Sequence, residues 1–190
     1  MFRPFLCFAA LFVTPSASFG AALAATRADV DAVRSSIVAT FTQSGVPVES
    51  PFKRFAGRIV YDPSNVANAS AVLEVETGSL DIGDEEYNAE VRKPQWFDVA
   101  KHPKATFRST AIKTTGPDSF VATGLLTLKG KAQRISVPVT AKTTNSGRVF
   151  EGVLVISRKA FNLGDPLWES VLEDKVRVKF SLVSQTTPAR

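Results

Sequence analysis

From Ile37 to Leu182 the chain alternates apolar and polar side chains with a period of two. Ile37, Ala39 and Phe41 share one parity, as do Phe55, Gly57, Ile59 and Tyr61, then Ala71, Leu73 and Val75, then Ala105 and Phe107. The pattern resumes with Phe120, Ala122, Leu126 and Leu128, and with Ile135, Val137, Val139 and Ala141. It ends with Val149, Val153 and Val155, and with Val176, Val178, Phe180 and Leu182. Period-two alternation rich in Val and Thr predicts strands with one buried face. Asp62-Pro63-Ser64-Asn65, Gly116-Pro117-Asp118, Lys129-Gly130-Lys131 and Asn145-Ser146-Gly147 fall between neighbouring rows at hairpin distance. The expectation is an all-β antiparallel fold of about eight strands, whose sheet either packs on another sheet or closes on itself into a barrel, closure removing its exposed edges.

One stretch breaks the period. Asp84 to Lys93 places acids first and bases last, with Tyr87 and Val91 four apart, and Pro94 follows. That order suits a short helix and its dipole. Trp96 and Phe97 then return the chain toward the core. No internal repeat or low-complexity tract interrupts the chain, so a single domain is expected.

The N-terminus has a different character. Arg3 precedes the apolar run Phe5 to Val13, and small residues follow, with Ala22-Leu23-Ala24 as the best cleavage site and Ser16-Ala17-Ser18 as an alternative. This is the layout of a secretory signal peptide. A spanning helix would need about 20 apolar residues, far more than this run supplies. Residues 1–24 are therefore read as a cleaved leader and residues 25–190 as the mature, exported domain. Cys7, the only cysteine, leaves with the leader.

Charge excludes little else. The whole chain carries 23 Lys and Arg against 18 Asp and Glu, a net +5 without long like-charge blocks. Nucleic acid is accordingly a poor partner.

Reactive side chains are scarce. The single histidine, His102, precedes Pro103 between Lys101 and Lys104 and reads as an exposed loop residue rather than a positioned base. Asp81, Asp84, Glu85 and Glu86 lack the frame of a calcium loop and suit a helix start better. Lys129-Gly130-Lys131 lacks the glycine-rich approach of a phosphate loop and reads as a turn. No metal or cofactor is implied, and the composition favours a binder over an enzyme. Phe supplies 14 residues against 2 Trp and 2 Tyr. These rings either fill a barrel core or line a cavity in it, and the pattern leaves both open.

Seven segments in order resemble the YceI family. They are Phe52-Lys53-Arg54-Phe55-Ala56-Gly57, Val60-Tyr61-Asp62-Pro63, Gly78-Ser79-Leu80-Asp81-Ile82-Gly83, Trp96-Phe97-Asp98, His102 to Ser109, Gly124 to Gly130, and Ser157 to Gly164. The likeness runs from about Val33 to Val183. It implies a lipocalin-like barrel of eight strands with a short helix. It also implies a periplasmic protein that binds a polyisoprenoid or isoprenoid quinone in an apolar tunnel. On that reading Phe41, Phe52, Phe55, Trp96, Phe107, Phe161 and Trp168 are candidates for the tunnel wall. Arg158 is a candidate for a polar head group or, equally, for a structural salt bridge. A transient inner-membrane contact and a homodimer are further expectations.

The sequence departs from the family at Arg34-Ser35-Ser36 and Gln43-Ser44, where members often carry histidines. It departs again at Tyr87-Asn88 in the helix. The competing function is a stress-response or interaction module built on a filled barrel. An enzyme acting on the isoprenoid or quinone is the weakest reading.

Overall fold

The eight alternating rows are strands, joined by two more that the pattern did not reveal. A computed structural model describes residues 26–62, 65–145 and 147–184. The strands are β1 (Thr26–Asp29), β2 (Ser36–Gln43), β3 (Val46–Pro51), β4 (Phe55–Tyr61) and β5 (Ser70–Glu76). They continue with β6 (Lys104–Gly116), β7 (Ser119–Leu128), β8 (Lys131–Thr144), β9 (Gly147–Ser157) and β10 (Lys175–Ser184). All belong to one antiparallel sheet in the order β1-β4-β5-β6-β7-β8-β9-β10-β2-β3. The fold class is the expected one, a curled, lipocalin-like antiparallel sheet, with ten strands instead of eight.

The two added strands lie at the edges for physical reasons. β3 contains Pro47 and Pro51, which withhold backbone N–H groups, and proline is tolerated mainly on edge strands. β1 is four residues long, too short for alternation to show. Both edges fold back on the sheet. Val30, just past β1, bridges Ser184 of β10, and Phe52, just past β3, bridges Leu80 beyond β5.

The face assigned to β9 is reversed. Val153 and Val155 point to solvent, Val155 with 52% of its surface exposed. Phe150, Leu154 and Ile156 face inward instead, against the core or the interior cavity. Both parities of this strand are largely apolar, Glu151 interrupting the outward row and Gly152 the inward one, so alternation alone did not separate the faces. A Cβ at Gly152 would collide with the Phe180 ring, so the glycine makes room for that ring.

The turn at Pro63 and Ser64, Ser146 and the leader with Cys7 lie outside the described residues. α1 (Glu85–Val91) is the expected helix, shorter by one residue at its start and two at its end. Asp84 caps it, its Oδ1 accepting from the N–H groups of Glu86 and Tyr87 at 2.8 and 3.2 Å. Among the described residues no helix is long and apolar enough to cross a membrane.

Candidate ligand-binding cavity

The interior is hollow, the second of the two alternatives that the aromatic pattern left open. A cavity of about 420 Å³ opens at the end of the barrel that carries α1. That volume lies within the range of about 300–1,000 Å³ usual for small-molecule sites. Its wall is built by inward rows: Ile37, Ala39 and Phe41 from β2, Leu154 and Ile156 from β9, and Val176 and Val178 from β10. A second cavity of about 150 Å³ adjoins it. Ile37, Val75, Ala105, Leu126, Leu154 and Val178 line both, so they form a shared neck and the two chambers follow one another.

Of the residues expected at the wall, Phe41, Phe52, Trp96, Arg158 and Trp168 line the upper chamber. Phe107 lines the lower one. Phe55 and Phe161 line neither. Phe55 packs on the main core cluster. Phe161, in the loop after β9, is buried in a smaller cluster with Leu128 and Leu163.

Arg158 has a structural role of an unexpected kind. It is only 4% exposed. Its Nε, Nη1 and Nη2 donate to the carbonyls of Glu173, Leu163 and Leu172 at 3.0, 3.0 and 2.9 Å. The expected salt bridge is replaced by a clamp on backbone. Those carbonyls bracket the segment that carries Trp168 and Leu172 to the mouth, so Arg158 positions cavity wall. Gly164, at φ +140°, leaves space that any side chain would take from Nη1. Lys129 binds the same loop from outside, its Nζ donating to Asn162 O at 2.7 Å and Gln95 O at 3.0 Å. Burial pushes this ammonium down from its ordinary pKa.

The helix is held to the mouth by a residue that the sequence marked only as a departure from the family pattern. Asn88 is buried, and its Oδ1 accepts from Ile82 N at 2.8 Å, tying α1 to the preceding loop. Tyr87 and Val91, one helical turn apart, both face the upper chamber. Tyr87 meets Trp168 edge to face across the opening. Trp96 donates from Nε1 to Glu90 at 3.3 Å. The Lys93 ammonium, bonded to Glu90, holds that carboxyl below its usual pKa, partly offset by burial and aided by Trp96. Leu172 and Ile82 also line the upper chamber; Ile82 lies in one of the segments that resemble the family, and nothing in its sequence context marked Leu172. Tyr87 was visible through its helical spacing to Val91.

Polar groups at the wall are largely engaged. Thr77 donates to the carbonyl of His102 or Pro103, Asp84 caps the helix, and Arg158 holds its three carbonyls. His102 itself is half-buried against the Lys129–Gly130 turn rather than exposed, and it lines neither chamber. Among the described residues no three His, Cys, Asp or Glu side chains gather as a metal site requires.

Comparison with known proteins now places the chain. The YceI-like domain profile matches residues 29–184. The protein belongs to the YceI family. Burkholderia cenocepacia BcnA has a similar solved structure, 41% identical, with a TM-score of 0.79 over 81% of this chain and 98% of that one. A structure described as a polyisoprenoid binding domain from Saccharophagus degradans is 16% identical, with a TM-score of 0.69 over 86% and 99% of the two chains. At that identity the likeness is one of YceI fold. A UPF0312 protein of Vibrio cholerae is 34% identical over 90 residues, 47% of this chain and 48% of its own. The match thus spans about half the length of such curated relatives.

Proposed function

We propose that this YceI protein is a periplasmic, non-enzymatic carrier or sequestering protein for a polyisoprenoid or isoprenoid quinone. The observation that carries the reading is the pair of apolar chambers joined end to end inside the sheet. A chain molecule gains about 0.8 kcal/mol for each CH₂ moved from water into such a wall, without directional contacts. The engaged polar groups at the wall favour binding over chemistry, because they position structure rather than stand ready to exchange protons. The polyisoprenoid-binding description of the Saccharophagus degradans structure supports the ligand class, and the leader-like residues 1–24 support the compartment.

Lipid extraction and mass spectrometry of protein purified from its native host test this. An isoprenoid should be recovered from the wild type and be depleted in Ala39→Phe, which fills the upper chamber. Recovery no greater than from an unrelated exported protein would overturn the reading. A filled-barrel interaction module is disfavoured by the chambers themselves.

A further inference from the structure

We propose that Tyr61, Phe120 and Phe150 form a stopper that sets the longest chain the tunnel accepts. The inference rests on the carrier reading and adds length selectivity to it. All three rings line the lower chamber, and none of them lines the upper one. Ring centroids lie 5.4 Å apart for Tyr61 and Phe150, 5.9 Å for Tyr61 and Phe120, and 6.3 Å for Phe120 and Phe150. Such spacings are those of rings in contact, which leave no passage for an alkyl chain between them.

The stopper is anchored on both sides. Phe120 and Phe150 are buried on β7 and β9, where they pair with Val139 and Ala141 of β8 respectively. Tyr61 is held by the guanidinium of Arg148, 4.5 Å from its ring centroid. From Ile156 in the upper chamber to Phe150 the strand advances six residues, roughly 20 Å at strand rise. A ligand chain gains affinity only while each added group meets wall. Once its tip reaches the rings, further length must emerge at the mouth, where its apolar surface returns to water. Ala71 and Ala122 are small side chains in the lower chamber's wall.

The test uses the protein with a series of isoprenoid alcohols of increasing prenyl number. Trp96 and Trp168 both line the upper chamber, so their fluorescence reports occupancy without a label. Wild-type affinity should rise by up to about fourfold per buried CH₂ and then level off at a defined length. Tyr61→Ala and Phe150→Leu should move that limit to longer alcohols, and Ala71→Leu should move it to shorter ones. Phe150→Leu keeps most of the apolar volume and serves if Tyr61→Ala fails to fold. A limit that stays in place in the folded variants would overturn the stopper while leaving the carrier reading intact. Absence of binding by the wild type at every length would overturn both.

Discussion

Tyr87 on α1 and Trp168 in the loop after β9 meet edge to face, with ring centroids 6.3 Å apart. They come from opposite sides of the cavity mouth, and Tyr87 remains 46% exposed. An edge-to-face pair contributes about 0.5–1.5 kcal/mol beyond its buried area. If the mouth must part for a ligand to leave, Tyr87→Ala should speed release by roughly 2- to 10-fold, as that energy range implies. Stopped-flow displacement followed through Trp96 and Trp168 would measure this, since the variant retains both indoles. Unchanged release would mean that ligands leave by another route.

Arg158 and Gly164 should behave as a coupled pair. Arg158→Ala leaves three backbone carbonyls without their charged donor, and hydrogen bonds to charged groups contribute about 1.5–3 kcal/mol each. A loss of at least about 3 kcal/mol is expected in denaturant unfolding. Gly164→Ala should also destabilise, because its Cβ would strike Nη1 and its φ is unsuited to a side chain. In the double variant the clash disappears, so the two costs should add to less than their sum. Strict additivity would show that the two residues act independently.

These residues also show how far the sequence could be read. Wherever one face of a strand is buried and the other wet, as in β8 and β10, alternation identified the inward row. It misled in β9, where Val153 and Val155 are apolar yet exposed. It was silent for β3, whose edge position lets Pro47 and Pro51 stand inside a strand. At the cavity, aromatic residues on regular strands were legible, and Phe41 and Phe107 lie where alternation put them. Phe55 and Phe161 share the same composition and fill core instead, because volume depends on partners distant in sequence. The carbonyl clamp of Arg158 was illegible for a related reason. Its partners are backbone atoms of Leu163, Leu172 and Glu173, which no side-chain pattern announces.

Ser50 offers a simpler stability test. It has no exposed surface, and its hydroxyl lacks a hydrogen-bond partner. A buried hydroxyl without a partner carries an uncompensated desolvation cost of about 1–3 kcal/mol. Ser50→Ala removes that group at little loss of volume. The variant should be as stable as the wild type or more so, by up to about 1 kcal/mol, in thermal unfolding. A clear loss of stability would instead reveal a buried water or ligand atom bonded to Ser50 in solution.

Acid should weaken the loop that completes the mouth, and Asp174 is the residue to follow. Burial pushes its carboxyl up, but the Lys159 N–H and Ser157 hydroxyl, at 3.0 and 2.8 Å, outweigh this, with smaller help from the charges of Lys175 and Arg158. The net effect holds Asp174 below the usual carboxylate range. A group depressed on folding contributes stability that is fully present above its unfolded pKa, about 3.9 for Asp, and is lost as pH falls through the lower folded value. Glu74, held down mainly by Lys104, acts in the same direction, as does Asp81 through the Gly83 N–H. The melting temperature should therefore be insensitive to this group near neutrality and fall below about pH 4. Asp174→Asn should lower stability at neutral pH yet make the acid limb shallower, because the substituted amide no longer titrates. An acid limb of unchanged slope in that variant would assign the sensitivity to the other carboxylates.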